Sequence, residues 1–121
     1  MELNNTLEVD ITRLGQRVAH MGCCFYDGTV QIKDLFVNKK HRNKGLDEIL
    51  LDKAHEYAHE KYADKIIAYC GAEPFCPDGQ IPLEEEIAFY RKNGFVKKEN
   101  TFANIPCMVK LLNPDMEPCV G

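Results

Sequence analysis

The chain has 121 residues, of which 45% are hydrophobic and 28% are charged, a balance typical of one soluble globular domain. Its net charge of −4 lacks the basic surface of a nucleic-acid-binding protein, and no apolar run approaches the roughly 20 residues that span a bilayer. We therefore expect neither a nucleic-acid partner nor a membrane segment. The amino terminus shows no signal peptide, so we expect a cytoplasmic protein whose six cysteines remain reduced.

The opening third of the chain predicts an antiparallel β-meander. Alternating apolar residues predict a first strand at 6–14, followed by a turn at 15–16 and a second strand at 17–26. The Asp-Gly pair at 27–28 is a strong hairpin signal. A third strand is then predicted at 29–37.

After residue 45 the apolar period changes from two residues to about 3.6, which is typical of an amphipathic helix. The later elements are, in chain order, a helix from Gly45 to about Tyr62, a buried strand at 65–71, a helix from Leu83 to Asn93, and strands at 95–99 and 106–112. The order β-β-β-α-β-α-β-β predicts an α/β (α+β) fold with a mixed, mostly antiparallel sheet and flanking helices. We expect the chain to form a single domain over 1–121, with a loose tail at 113–121.

The most informative stretch is DLFVNKKHRNKGLDEILL, in which a strand leads through a basic loop directly into a helix. Backbone N–H groups at a helix start lack intrahelical acceptors and carry partial positive charge, so they can bind a pyrophosphate. Gly45 permits close approach of the backbone to such a ligand, and Arg42 adds attraction. A solvated helix cap would produce the same pattern without a ligand.

This stretch resembles the acetyl-CoA motif of the GNAT superfamily of N-acetyltransferases, V-x-x-x-x-R-x-x-G-x-(G/A), through Val37, Arg42 and Gly45. Downstream, AFYRKNGF is similar to the family's second signature, A-x-x-Y-x-x-x-G-F, and its Y-x-x-x-G-F part places Tyr90 four residues before a helix-ending glycine. The resemblance covers roughly residues 17–112. It implies an acyl-CoA N-acyltransferase-like fold, in a short form without the family's first strand and first two helices.

The resemblance implies acetyl-CoA as co-substrate, held between the strands at 29–37 and 65–71, and direct transfer of acetyl to a primary amine. The acceptor would be a small molecule or a protein. Tyr90 would protonate the departing thiolate, and either Asp34 or Glu73 would act as general base. The implied cofactor-binding residues are Leu35, Phe36, Val37, Arg42, Asn43, Lys44, Gly45, Leu46 and Asp47.

Two features leave the function open. Asp47 stands where the family has glycine or alanine, and its carboxylate would repel a pyrophosphate. The short form implies an open acceptor site, a site completed by a partner subunit in a homodimer, or a non-catalytic acyl-CoA-binding or assembly module. A homodimer is also favoured by the exposed edges of so short a sheet.

A second motif predicts different chemistry. His55, Glu56 and His59 form H-E-x-x-H on the first predicted helix, a spacing that can bind zinc for a hydrolase. No third ligand is secured, and a charged, solvated helix flank explains the same residues. The zinc-dependent hydrolase is therefore the alternative hypothesis.

Overall fold

A computed structural model of the chain describes residues 5–41, 44–70, 83–98 and 106–112. Its elements follow the predicted order. They are β1 (Thr6–Arg13), β2 (Gln16–Tyr26), β3 (Thr29–Val37), a short 3₁₀ turn (Lys39–His41), α1 (Leu46–Glu60), β4 (Lys65–Tyr69), α2 (Leu83–Lys92), β5 (Val96–Lys98) and β6 (Cys107–Leu111). The predicted tail at 113–121 lies outside the described residues.

The strands form one six-stranded sheet in the order β1-β2-β3-β4-β6-β5. Every neighbouring pair is antiparallel except β3 and β4, which run parallel. The parallel pair is joined by α1, as expected because parallel strands need a long crossover connection. The predicted mixed, mostly antiparallel sheet is thus confirmed.

Both helices pack on the same face of this sheet. α1 buries Leu50, Leu51 and Ala54 against strands β1 to β4. α2 lies beside β5 and β6, and its Lys92 Nζ lies 3.0 Å from Glu48 Oε2 of α1. Because the helices share one core, the opposite sheet face has no helix over it within the described ranges.

The first hairpin turn lies one residue earlier than predicted. Arg13 pairs with Gln16, so Leu14 and Gly15 form the turn and β2 begins at Gln16. Both turn residues have positive φ, 53° and 79°, which is the requirement of a type I′ turn. Apolar alternation located the strands, but it did not separate a turn leucine from a strand leucine.

Among the described residues, Cys23, Cys24, Cys70 and Cys107 form no disulfide. None of the helices described here is long and apolar enough to cross a membrane.

Candidate functional site

The sheet opens between β3 and β4. The parallel ladder pairs Thr29 with Lys65 and ends at the pair Ile32 and Ala68. β3 continues to Val37 while pairing only with β2, whereas β4 ends at Tyr69 and pairs with β6 along its other edge. The parallel pairing therefore stops before β3 does, which leaves one edge of β3 from Lys33 to Val37, the separated segment, uncovered by β4 in the described part of the chain.

A β-bulge lies at the point of separation. Gly22 pairs with Asp34 and Cys23 pairs with Ile32, so Lys33 is an extra residue in β3. The extra residue returns Leu35 and Val37 to the helix-covered face, where both are buried. Asp34 is consequently turned to the opposite face, at the start of the separated segment.

The end of this segment leads into the first turn of α1. Asn38 organises the connection, because its side-chain oxygen accepts a hydrogen bond from Lys40 N at 3.0 Å and its carbonyl accepts one from His41 N at 2.8 Å. Gly45 then precedes the helix with φ 82°, in the left-handed region, and provides no side-chain cap. The first amides of α1 therefore point out of the helix start along its axis without a side-chain cap from Gly45, as an anion site requires.

Asp47 modifies this helix start. Its Oδ1 accepts a hydrogen bond from the backbone N–H of Glu48 at 2.9 Å. The carboxylate thus occupies an amide that a phosphate oxygen would otherwise use. Asp47 would therefore compete with a bound anion for this amide, and its negative charge would also repel the anion.

Tyr90 lies on the core side of α2 and is only 2% exposed. Its ring centroid lies 5.2 Å from that of Phe89 and 5.1 Å from that of Phe95. The helix ends just after it, where Gly94 adopts φ 95°. The tyrosine, glycine and phenylalanine of the second signature therefore form one packed unit.

A cluster of polar side chains lies on the sheet face away from the helices, beside the separated segment of β3. It contains Glu8, Asp10, His20 and Asp34, with Phe36 next to them, and we call this surface the open face. His20 Nδ1 lies 2.6 Å from Asp10 Oδ1, and its Nε2 lies 3.2 Å from Glu8 Oε1 and 3.3 Å from Asp34 Oδ1.

Gly22 makes room for this cluster. A Cβ atom there would lie 3.1 Å from Asp34 Oδ1 and 3.3 Å from Glu8 Oε2. Asp34 Oδ1 is buried and has no well-aligned hydrogen bond among the described residues, although His20 Nε2 is near. The open face therefore holds closely spaced carboxylates at the end of β3 where the sheet opens.

Comparison with known proteins identifies the family to which this domain belongs. The family model of the acetyltransferase (GNAT) domain matches residues 6–97. The chain belongs to the GNAT acetyltransferase family. GNAT domains use acetyl-CoA as co-substrate, which agrees with the cofactor expected from the sequence. A search by sequence found no match among curated proteins.

Solved structures share the fold. The PaiA N-acetyltransferase of Thermoplasma acidophilum, in complex with coenzyme A, is 16% identical with a TM-score of 0.74, over 89% of this chain and 62% of that one. A GNAT acetyltransferase of Elizabethkingia anophelis with acetyl-CoA bound is 16% identical with a TM-score of 0.68, over 89% and 77%. The anti-CRISPR protein AcrVA5 is 19% identical with a TM-score of 0.66, over 88% and 98%. The predicted GNAT-like fold is confirmed, and the chain spans less than two thirds of the Thermoplasma enzyme.

The predicted cofactor residues divide between the core and the surface of this GNAT domain. The side chains of Leu35, Val37 and Leu46 are buried, so only their backbone groups could contact a ligand. Lys44 and Gly45 are exposed, whereas Phe36 and Asp47 are partly buried. Arg42, Asn43 and Glu73 lie outside the described residues.

In the H-E-x-x-H motif, His55 makes structural contacts, whereas Glu56 and His59 are exposed. His55 Nδ1 donates to the carbonyl of Leu51 at 3.0 Å, and its Nε2 accepts from Lys110 Nζ at 3.0 Å. Burial lowers the pKa of His55, with the charge of Lys110 as a further cause. The imidazole is thus held neutral with both nitrogens engaged, and no group of ligands suited to a metal occurs in the described ranges.

The sequence reasoning missed Glu8, Asp10 and His20. Only part of their signal was present in the sequence: Glu8 and Asp10 lie two residues apart in β1 and must share one face. A depression of about 240 Å³ on the same face, lined by Cys24, Tyr26, Asp27, Thr29, Gln31 and Ile67, lies at the other end of β3. It contains none of the predicted site residues.

Proposed function

We propose that this GNAT domain transfers the acetyl group of acetyl-CoA directly to a primary amine, without a covalent enzyme intermediate. The observation that supports this most is the separation of β3 from β4 beyond Ile32 and Ala68, directly before the first turn of α1. An extended thioester arm fits an uncovered strand edge, and its pyrophosphate fits the helix start. β3 would thereby align the thioester arm along its edge and the pyrophosphate at the helix start that follows it.

The pyrophosphate would bind the backbone amides of Leu46 through Glu48, with Gly45 allowing the chain to enter the helix at positive φ. Lys44, Arg42 and Asn43 would add charge and hydrogen bonds from the same loop. The thioester would then lie along β3 between Leu35 and Val37. A backbone N–H near Val37 would stabilise the oxyanion that forms during transfer.

The chemistry needs an acid and a base. The amine nitrogen attacks the thioester carbonyl carbon, the C–N bond forms and the C–S bond breaks. Tyr90 would give its hydroxyl proton to the departing thiolate, since a group with a pKa near ~10 can act as an acid at neutral pH. Of the carboxylates expected to act as base, Asp34 faces the open face at the separated segment.

The acceptor would enter from the open face, because both helices occupy the other side of the sheet. A small amine and a lysine side chain of a protein both fit an uncovered surface. We place the reaction in the cytoplasm, where thiols such as Cys23 and Cys107 stay reduced. Homodimerisation through an exposed sheet edge stays a prediction.

Two matched glycine variants test the phosphate site. Gly45 and Gly15 have φ of 82° and 79°, and a Cβ on either would meet no atom within 4 Å. Gly45→Ala and Gly15→Ala therefore introduce the same backbone strain, but only the first does so at the proposed ligand site. Calorimetric titration with acetyl-CoA should give micromolar binding for the wild type and for Gly15→Ala, and much weaker binding for Gly45→Ala.

Turnover is measured by thiol release with a panel of amines that includes spermidine and lysine methyl ester. Equal acetyl-CoA affinity of the two alanine variants would refute the pyrophosphate assignment. Acetyl-CoA binding without thiol release for any amine would refute acetyl transfer and favour an acyl-CoA-binding module.

A further inference from the structure

We infer that His20, oriented by Asp10, is the group that accepts the proton of the attacking amine on the open face. This rests on the proposed acetyl transfer and adds residues from β1 and β2 to it. The carboxylates of Glu8 and Asp34 flank the imidazole and define the acceptor as an amine that arrives as an alkylammonium ion.

The orientation of the ring follows from its shortest contact. His20 Nδ1 and Asp10 Oδ1 are 2.6 Å apart, the distance of a strong charge-assisted hydrogen bond. This hydrogen bond to His20 is the main cause that lowers the pKa of Asp10, so Asp10 is ionised and the imidazole must be the donor. The Nδ1–H tautomer leaves the lone pair of Nε2 directed away from Asp10.

Nε2 lies beside the bulge in β3. It lies 3.3 Å from Asp34 Oδ1 and 3.2 Å from Glu8 Oε1. His20 is directly opposite Phe36 in the β2–β3 register, and the two rings lie 5.8 Å apart. Phe36 belongs to the segment of β3 along which the thioester would lie, so His20 is one strand away from that segment.

The imidazole of His20 is largely enclosed by its neighbours. Its side chain is only 12% exposed. The charged groups that face it are Glu8 and Asp10 from β1, Arg17 from β2 and Asp34 from β3. Arg17 Nη1 lies 3.4 Å from Asp10 Oδ1, and its guanidinium carbon lies 5.8 Å from the Phe36 ring centroid. Arg17 therefore supports the position of Asp10, the residue that fixes the tautomer.

The carboxylates around Nε2 explain the acceptor class. Ionised oxygens beside a nitrogen lone pair repel one another unless a cation or a proton lies between them. An ammonium group supplies both the charge and the proton. Among the described residues this cluster is not arranged to hold a metal ion, so a protonated amine is the ligand that its chemistry favours.

The protons balance with Tyr90 as the acid. The ammonium ion first gives one proton to His20 Nε2, directly or through water, and the neutral amine nitrogen then bonds the carbonyl carbon. The C–S bond breaks and the thiolate takes the hydroxyl proton of Tyr90. The second proton of the nitrogen returns through water to Tyr90, and His20 releases its proton to solvent, which leaves the acetylated amine and CoA.

Three variants test the inference: His20→Gln, Asp10→Asn and, as a matched control, His59→Gln on the exposed side of α1. Acetyl-CoA affinity is measured by calorimetry, and kcat/KM with spermidine is measured across the pH range. We expect His20→Gln to keep its acetyl-CoA affinity and to lose roughly 10²-fold to 10⁴-fold in kcat. The limb of the kcat/KM pH profile that reflects the general base should also disappear. His59→Gln should match the wild type.

Asp10→Asn separates a positioning role from a purely structural one. It should shift the general-base limb of the kcat/KM pH profile rather than remove it. Nitrogen NMR of the imidazole should show loss of the Nδ1–H tautomer that dominates neutral His20 in the wild type. A wild-type Nε2–H tautomer, or a His20→Gln variant as active as His59→Gln, would overturn the role of His20 and leave acetyl transfer intact. Absence of thiol release in the wild type would overturn the proposed function itself.

Discussion

The rings of Tyr90 and Phe95 pack 5.1 Å apart because the backbone at the end of α2 brings them together. Phe95 N donates to Tyr90 O at 3.0 Å, Gly94 N donates to Arg91 O at 3.1 Å, and Gly94 has φ 95°. These are the two hydrogen bonds and the left-handed residue of a Schellman motif, which also places an apolar contact between these two positions. The spacing Y-x-x-x-G-F therefore has a structural cause that is independent of catalysis.

Tyr90→Phe separates the two roles of this residue. The phenylalanine ring keeps the contacts with Phe89 and Phe95, so we expect acetyl-CoA affinity to stay near the wild-type value. Loss of the acidic hydroxyl should slow transfer by roughly 10²-fold to 10⁴-fold. The measurement is kcat by thiol release, with acetyl-CoA affinity from calorimetry.

The control is Tyr62→Phe, because Tyr62 is 90% exposed and lies outside the site. If Tyr90→Phe turned over at the wild-type rate, Tyr90 would have a packing role only and would not be the general acid. Tyr90→Ala should in any case lower the free energy of unfolding by about 3–5 kcal/mol, since it empties a buried ring position.

Local patterns predicted each strand and helix of the described residues, because most have a clear apolar period and a turn or cap residue at their ends; β5, three exposed residues, is the exception in period. Gly94 and the Asp-Gly pair at 27–28 are examples. The helix-start site stays a prediction, and the sequence suggests it for the same reason, since its loop is contiguous in the chain. The cluster around His20 was not, because Asp10, His20 and Asp34 come from three strands and only the pairing register brings them together.

Asp47 should weaken cofactor binding. Its Oδ1 accepts a hydrogen bond from Glu48 N, one of the amides proposed for the pyrophosphate. We expect Asp47→Ala to tighten acetyl-CoA binding by roughly 2-fold to 5-fold, the equivalent of one charge–helix-terminus interaction. Asp47→Asn removes the charge and keeps an acceptor, so it should give a smaller gain. Weaker binding in both variants would mean that Asp47 supports the ligand.

Leu14 is a stabilisation site. It has φ 53° at the first central position of a type I′ turn, and its side chain is fully exposed at 103% relative accessibility. Asparagine adopts left-handed backbone far more readily than leucine. Leu14→Asn should therefore raise the free energy of unfolding by ~0.5–1 kcal/mol, as measured by urea denaturation. Leu14→Ala removes the same exposed side chain without this backbone preference, so it should give no gain.

His55 should make the domain sensitive to mild acid. Burial lowers its pKa below the ordinary value of 6.5, so the unfolded chain binds a proton at a higher pH than the folded chain does. The free energy of unfolding is therefore unaffected by His55 above pH 6.5, and it falls as the pH drops from 6.5 towards the folded pKa. The slope in that window is at most about 1.4 kcal/mol per pH unit.

Urea denaturation at several pH values checks this slope. His55→Gln should flatten it, since glutamine cannot take up the proton, while His59→Gln, one turn further along α1 and exposed, should retain it. The window is separate from that of Asp10, whose pKa is lowered from 3.8 and whose contribution is lost only as the pH falls below that value. Identical slopes in the two glutamine variants would mean that burial does not hold the imidazole of His55 neutral in the folded domain.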